Sequence, residues 1–277
     1  MAHQRWRNIG DPAADSDLSS PESSMVVRAG DEILVSSQTG IEPGTGHVFN
    51  VDRTAAGAAA QADTALMTLK TALEEAGSSL NDICKLTVYI DDRAHRIPVY
   101  QTIGRHLRGV HPVSTGLIVR GFARPELLFA LDVAVVSQRA SPHLRLRKYH
   151  SDQMRYGNQW QPLSCDFCMA VRAGSRIFLR GQTGQNLEDR LLIKVNAGEQ
   201  AAQAMRNVEV LLGEAGAGLA DVCRAVLYVT DRAYLAPARD AVLRHLAGVP
   251  CATSEIIVKG LANPDLLMEV DVFAVRS

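Results

Sequence analysis

The stretch LNDICKLTVYIDDRA (residues 80–94) occurs a second time as LADVCRAVLYVTDRA (residues 219–233). The longer segments 80–107 and 219–246 share 11 identical residues out of 28 at a constant offset of 139. Farther upstream, VSSQTG (35–40) matches LRGQTG (179–184) at an offset of 144. The chain therefore contains two copies of one domain. The change of offset places five extra residues in the first copy, in a loop between Ile41 and Ala55.

Length and composition bound the class of protein. A chain of 277 residues accommodates two domains of about 120 residues. The sequence is 47% hydrophobic without a bilayer-length apolar run or a charged-then-apolar leader, so we expect a cytoplasmic protein with no membrane partner. A net charge of −1 argues against nucleic acid as a partner. Cys84 and Cys223 are equivalent positions in apolar strands, which predicts two buried, reduced thiols.

The residue pattern predicts the same elements in both copies. Each copy opens with a β-hairpin and continues with a helix whose apolar stripe recurs at spacings of three and four. Gly77 and Gly216 lie where a left-handed helix cap favours glycine. A strand, a second helix (96–108 or 235–247) and two more strands follow. The fold class is α+β, with two tandem domains that each pack two helices on one face of a mixed sheet.

These elements give the domain bounds. We expect an N-terminal arm at 1–24, repeat 1 at 25–137, a linker at 138–165 and repeat 2 at 166–277. The linker is strongly basic, which is typical of a solvated connector, with a binding strip as the alternative. Since both helices cover one sheet face, the other face is an apolar patch that predicts association through the sheets.

The motifs resemble those of a known family. A strand followed by Ser36-Ser37-Gln38 or Arg180-Gly181-Gln182, the Glu-Ala-Gly helix end, the Val-Tyr-Ile-x-Asp strand end and a late Pro-x-x-(Ser/Thr) strand are similar to the Rid (reactive intermediate deaminase, YjgF-like) family. The resemblance covers nearly all of both copies. It implies chorismate-mutase-like domains, trimers whose sheets form a central barrel, and small-molecule pockets between neighbouring domains.

The resemblance also implies an activity, the hydrolysis of reactive enamines and imines to ammonia and a 2-oxo acid. Catalytic members carry an arginine after the late proline that grips the substrate carboxylate at two points. Here Ser114 and Ala252 stand at that position, next to Thr115 and Thr253. The family's glutamate on the last strand is Ala130 in the first copy and Glu269 in the second, and a family asparagine of the second helix becomes Tyr100 and Arg239.

Each candidate residue has a structural alternative. Glu269 is either the catalytic acid or base or a solvated acid at a strand edge. Arg180, beside Gly181, is either an anion contact or part of an ion pair between the repeats. Arg239 and Tyr100 are either substrate contacts or exposed helix surface.

The remaining predicted substrate-binding residues are Ser36, Ser37, Ser114 and Thr115. Cys165 and Cys168 have redox spacing, but no second Cys/His pair completes a zinc site, so we expect a thiol pair without a catalytic role. We expect neither a metal nor a cofactor.

The sequence favours two functions. The first is a Rid-like hydrolase or deaminase of a small enamine or imine, acting at pockets between domains on substrates other than the standard imino acids because the family arginine is missing. The second is a protein that binds or senses a small metabolite without catalysis. RNA cleavage is disfavoured by the charge balance and by the lack of aromatic stacking platforms. The expected assembly is a homo-oligomer, most simply a trimer of two-domain chains.

Overall fold

A computed structural model describes residues 3–6, 24–42, 45–153, 155–156, 159–160 and 163–277. Most of the expected N-terminal arm and part of the expected linker lie outside these ranges. Within them, no helix is long and apolar enough to cross a membrane.

Repeat 1 has one mixed sheet and two helices. Its elements are the hairpin strands Val26–Ala29 and Glu32–Val35, a short strand Gln38–Thr39, helix α1 (Ala55–Glu75), the middle strand Ile83–Ile90, helix α2 (Arg96–His106), the edge strand Val113–Ile118 and the last strand Phe129–Val136. The last strand lies between the hairpin and the middle strand, and the edge strand pairs with the middle strand in parallel. All other pairings in this sheet are antiparallel.

Repeat 2 has the same plan. Its elements are the hairpin strands Ala170–Ala173 and Arg176–Leu179, helix α3 (Ala197–Glu214), the middle strand Val222–Val229, helix α4 (Leu235–His245), the edge strand Ala252–Ile257 and the last strand Met268–Val275. The strand order is again edge, middle, last, hairpin. The predicted fold class and the tandem repeat are therefore confirmed.

The long helices α1 and α3 form where the apolar stripes predict them. Both begin at a polar cap, since Thr54 and Asn196 each accept a hydrogen bond from the main chain of the helix's first turn. Both are followed by a glycine with positive φ, +69° at Gly77 and +78° at Gly216. Helix α1 has 21 residues and α3 has 18, so three of the five extra residues extend the helix and only two lengthen the loop. The expectation that all five lie in the loop is wrong.

The helix-free faces of the two sheets pack against each other over part of their area. One apolar cluster joins Cys84 and Val113 of repeat 1 to Val171 and Phe178 of repeat 2. A second joins Leu117 to repeat-2 residues that include Tyr228. Part of the expected association through sheets thus takes place within one chain.

The outer edge of repeat 2 remains open. All residues of the edge strand Ala252–Ile257 are exposed, whereas the equivalent strand of repeat 1 is largely buried under repeat 2. Cys223 is exposed for the same reason, while Cys84 is buried. The prediction of two buried thiols is therefore wrong for Cys223, because repeat 1 covers only part of the repeat-2 sheet face and leaves the region of Cys223 open.

Part of the expected linker is structural. His143–Leu146 forms a strand that pairs with Ala170–Ala173 and extends the repeat-2 sheet. The Arg145 guanidinium donates to the main-chain oxygens of His111, Asn81 and Ile83 in repeat 1. This segment is not a solvated connector, since it joins the second sheet and fastens it to the first repeat. At the N-terminus, Gln4–Trp6 pairs with the first hairpin strand.

Candidate functional site

A polar cavity lies where α2 and the edge strand of repeat 1 meet the hairpin and last strand of repeat 2. Its volume is about 40 Å³, enough for a few water molecules. The polar lining comes from both repeats and from the segment between them: Arg96, Tyr100, Ser114, Tyr149, Ser151, Arg180, Gly181, Thr183 and Glu269. The cavity therefore exists only because the two repeats are packed together.

Glu269 is the acid of this cavity. It follows Met268, the first residue of the last strand, and its side chain is buried, with 5% of the residue exposed. Burial raises the pKa of Glu269 to about 7, with Asp271 raising it further and Arg180, Lys85 and Arg96 opposing the shift. A carboxyl group with this pKa can both accept and donate a proton near neutral pH.

Gly181 sets the position of the Glu269 side chain. A methyl group at Gly181 would overlap the Glu269 carboxyl group and crowd the Thr115 hydroxyl. The absence of a side chain at this position lets the main chain of the repeat-2 hairpin pass directly beside the carboxyl group.

Asp271, two residues along the same strand, has a structural role. It accepts hydrogen bonds from Lys85 Nζ at 2.5 Å and from Thr115 Oγ1 at 2.8 Å, both in repeat 1. Lys85 Nζ also donates to the Leu179 carbonyl oxygen at 2.8 Å. Since both Asp271 oxygens are engaged in this way, Glu269 is the carboxyl group left to face the cavity.

Two guanidinium groups line the cavity, one from each repeat. Arg96, in the first turn of α2, stacks over the Tyr100 ring with its Cζ 4.9 Å from the ring centroid. Arg180, just after the second hairpin strand, lies over the Tyr149 ring at 5.8 Å. Each repeat thus places one guanidinium group, stacked on an aromatic ring, in the lining of the cavity.

Tyr100 and Ser114 form a hydroxyl pair in the wall of the cavity. The Tyr100 hydroxyl and Ser114 Oγ are 3.3 Å apart, and either atom can donate. Gly116 makes room for this arrangement, because a side chain there would overlap the tyrosine hydroxyl. Burial raises the pKa of Tyr100, so its hydroxyl remains protonated.

The structure brings five of the predicted residues to the cavity lining: Tyr100, Ser114, Arg180, Gly181 and Glu269. Thr115 lies beside it but donates to Asp271. For two of these residues the structural alternative is wrong. Glu269 is not a solvated acid and Tyr100 is not exposed helix surface, because both residues are buried.

Three predicted residues lie elsewhere. Ser36 and Ser37 are exposed at the end of the repeat-1 hairpin, on the side away from the cavity. Arg239 is 43% exposed on the open side of repeat 2, where it faces Glu255 at 3.7 Å. They are the repeat equivalents of the cavity residues Arg180, Gly181 and Tyr100. They lie on surfaces that the other repeat does not cover in the described part of the chain.

Sequence reasoning missed Arg96 and Tyr149. A signal for Arg96 was present, since the equivalent residue in repeat 2 is the apolar Leu235. Tyr149 falls in the segment expected to be a linker, where the sequence gives no indication that it folds onto repeat 2.

Three cysteines near this region are free, buried thiols. Burial raises the pKa of Cys84, Cys165 and Cys168 to about 12 in each case. Cys165 Sγ donates to the Tyr100 carbonyl oxygen at 2.7 Å, and Cys168 Sγ to that of His111 at 3.0 Å. The two thiols of the predicted pair therefore have separate hydrogen-bond partners.

The fold and the cavity define a class of protein, a tandem α+β protein with a polar pocket between its repeats. Comparison with known proteins gives the family. The sequence profile of the family described as Endoribonuclease L-PSP matches residues 18–136 and again 162–276. The chain belongs to this family, with two family domains in tandem, and the Rid (YjgF-like) resemblance of its motifs is confirmed.

Individual proteins are similar to parts of the chain. A RutC family protein of Pyrococcus abyssi is 38% identical over 69 residues, which are 25% of this chain and 50% of that protein. The chain thus spans about half the length of this curated relative. A Mycobacterium tuberculosis member of the YjgF/YER057c/UK114 family is 26% identical, with a TM-score of 0.39 over 48% of this chain and 98% of its own.

A solved chorismatase has a similar fold over both repeats. It gives a TM-score of 0.66 at 16% identity, covering 90% of this chain and 76% of its own. At this identity the likeness concerns the fold alone.

Proposed function

We propose that the chain hydrolyses a small enamine or imine acid in the pocket between its repeats. Membership in the family supports a role in binding or processing small molecules. The observation that carries the proposal is Glu269, a buried carboxyl group with a pKa of about 7 that shares the cavity lining with two guanidinium groups. Few structural roles require a carboxyl group to be buried at such a position.

The reaction needs one base that later serves as an acid. Ionised Glu269 takes a proton from a water molecule while the water oxygen bonds to the imine carbon. The protonated carboxyl group then gives the proton to the nitrogen. This gives a carbinolamine and restores the carboxylate. Glu269 next takes the proton of the carbinolamine hydroxyl group and passes it to the nitrogen as the C–N bond breaks and the C=O bond forms, so that one water is consumed, ammonia leaves, a 2-oxo acid remains and the carboxylate is again ionised.

The substrate carboxylate requires a cation, and the family arginine is replaced by Ser114. Arg180 supplies a guanidinium from the opposite wall of the pocket. Because this cation approaches from a different direction, we propose that the standard imino acids are poor substrates.

The alternative function is binding or sensing of a metabolite without turnover. The same pocket serves both functions, and the two differ only in whether Glu269 transfers protons. We do not propose RNA cleavage, in view of the net charge of −1 and an aromatic content of 5%.

We also propose a homo-oligomer, most simply a trimer of two-domain chains. The support is the exposed edge strand of repeat 2, whose repeat-1 equivalent is buried by the neighbouring repeat. A second copy of the chain would cover it. The proposed location is the cytoplasm, in keeping with the buried free thiols Cys84, Cys165 and Cys168.

The test is ammonia release from freshly generated 2-aminoacrylate, iminobutanoate and related imines, for the wild-type chain and Glu269→Gln. We expect wild-type protein to accelerate release from at least one of these imines and Glu269→Gln to lose the acceleration. Ligand binding without acceleration in the wild-type chain would favour the sensing function.

A further inference from the structure

A second cluster of reactive side chains lies outside the pocket between the repeats. Two short strands, Tyr149–His150 and Asp166–Phe167, pair antiparallel with His150 directly opposite Asp166. The other residue of each strand lines the pocket described above, whereas His150 and Asp166 line a separate cleft. Successive residues of a strand point to opposite faces, so Ser164, two residues before Asp166, is brought to the same side as His150.

These three side chains form a chain of hydrogen bonds. Asp166 Oδ1 lies 2.8 Å from His150 Nδ1, and His150 Nε2 lies 3.2 Å from Ser164 Oγ. The Asp152 carboxylate is farther from Nε2, at 3.9 Å. The imidazole therefore connects a carboxylate on one side to a serine hydroxyl group on the other.

Asp166 determines which nitrogen of the imidazole carries the proton. Burial acts to raise the pKa of Asp166, but hydrogen bonds from His150 and from the Gly109 N–H outweigh it and hold this pKa below its ordinary value. An ionised carboxylate only accepts hydrogen bonds, so His150 Nδ1 is the donor. In the neutral imidazole Nε2 is then the acceptor, and the Ser164 hydroxyl group donates to it. In this arrangement the imidazole can serve as the base that activates a serine.

The surrounding main chain fixes the position of the serine. Gly104 of α2 lies directly against the Ser164 carbonyl oxygen, where a methyl group on residue 104 would overlap with it. The Cys165 N–H donates to Ser151 Oγ at 2.8 Å, and the Ser151 N–H donates to the Cys165 carbonyl oxygen at 2.8 Å. Ser164 itself is exposed. Its hydroxyl group is therefore accessible while its main chain is held on both sides.

The cleft is large enough for a small substrate. Its volume is about 360 Å³, within the range of small-molecule sites. Arg105 and Arg108 also line it and bring positive charge, which favours the oxyanion that forms when a nucleophile attacks an ester carbonyl group. Arg105 also donates to Thr102 Oγ1 at 3.0 Å and lies 3.8 Å from Asp63.

We infer that Ser164, His150 and Asp166 form a second active site that hydrolyses small carboxylic esters through an acyl-serine. Ser164 Oγ bonds to the carbonyl carbon while its proton passes to His150 Nε2. His150 gives this proton to the alcohol oxygen as the ester C–O bond breaks. A water oxygen then bonds to the acyl carbon and its proton passes to His150, which returns it to Ser164 Oγ as the acyl-serine bond breaks. One ester and one water yield one acid and one alcohol, and Asp166 acts as the positioning residue of the imidazole.

A fluorophosphonate and p-nitrophenyl acetate test this inference on the full chain. The fluorophosphonate forms an O–P bond with an activated serine and releases fluoride. We expect one label at Ser164, located by peptide mass spectrometry, and accelerated release of p-nitrophenolate. Ser164→Ala should lose the label and the acceleration. Ser37→Ala, which removes an exposed hydroxyl group outside the cleft, is the matched control and should keep both.

Two further positions separate chemistry from misfolding. His150→Gln should slow labelling of Ser164 by at least about 100-fold. Asp166→Asn should do the same, because its amide group favours the wrong imidazole tautomer, whereas Asp166→Glu keeps a carboxylate and should recover part of the rate. No label on the wild-type chain, a label at another residue, or labelling of His150→Gln at the wild-type rate would overturn the inference. Absence of ammonia release from imines would contradict only the proposed hydrolysis at Glu269.

Discussion

Lys85 of repeat 1 and Asp271 of repeat 2 form an ion pair at 2.5 Å across the boundary between the repeats. The side chains are 11% and 14% exposed, so the pair is largely removed from solvent. Thr115 Oγ1 donates to the other Asp271 oxygen. These contacts fix the last strand of repeat 2 against the edge of repeat 1, and Glu269 lies two residues away on that strand.

Lys85→Ala should therefore destabilise the chain strongly. Removal of one partner leaves the Asp271 charge buried, which costs about 3 kcal/mol of the free energy of unfolding. The repeat-2 equivalent of Lys85 is Arg224, which is exposed. Arg224→Ala is the matched control and should change the free energy of unfolding by less than about 0.5 kcal/mol. Urea denaturation measures the free energy of unfolding of both variants. Equal losses would show that the Lys85–Asp271 ion pair does not stabilise the chain.

Gly181→Ala should disturb the pocket without removing any polar group. The added methyl overlaps the Glu269 carboxyl group, so we expect a loss of about 1–3 kcal/mol of stability. The repeat-1 equivalent, Ser37, is exposed, and Ser37→Ala should leave stability unchanged. Unchanged stability of Gly181→Ala would contradict the described packing.

The pKa of Glu269 predicts a pH dependence of stability. Its value rises from 4.5 to about 7 on folding. Between these values the folded chain keeps the proton that the unfolded chain has lost, so the contribution of Glu269 to stability falls as pH rises. Relative to Glu269→Gln, the wild-type chain should lose on the order of 3 kcal/mol between pH 4 and pH 8. Parallel stability profiles of the two proteins would show that Glu269 titrates at its ordinary pKa.

The sequence predicted the fold well because its strongest signals are local. The stripe of Leu66 and Leu69, the cap at Gly77 and the 139-residue offset each depend on residues close together in the chain or on comparison of the two copies. All of them agree with the structure.

The site was predicted only in part, because it depends on which wall of each repeat is covered. Ser36 and Arg180 are equivalent in sequence, but only Arg180 faces the other repeat. Arg239 and Tyr100 are likewise equivalent, and only Tyr100 lines the pocket, for the same reason. Exposure of Cys223 likewise follows from the packing of the repeats, which residue periodicity does not encode.

The open face of repeat 2 predicts how thiol reactivity depends on assembly. Cys223 is exposed in the single chain and should become protected when a second copy covers this face. Alkylation followed by peptide mass spectrometry should show slower labelling of Cys223 as protein concentration rises. Cys84 should stay unlabelled throughout as the buried control.

Light scattering should give the mass of three chains, and a single-chain mass with concentration-independent labelling of Cys223 would refute the assembly.

The central claim is that Glu269 performs chemistry on a small acid between the repeats. The most direct measurement is the initial rate of ammonia release from 2-aminoacrylate and iminobutanoate, each generated in the assay, with wild-type chain, Glu269→Gln and the control Arg239→Met. We predict that the wild-type chain accelerates release from at least one of these imines, that Glu269→Gln loses at least about 100-fold of this rate and that Arg239→Met loses none. Release by Glu269→Gln at the wild-type rate would contradict the account.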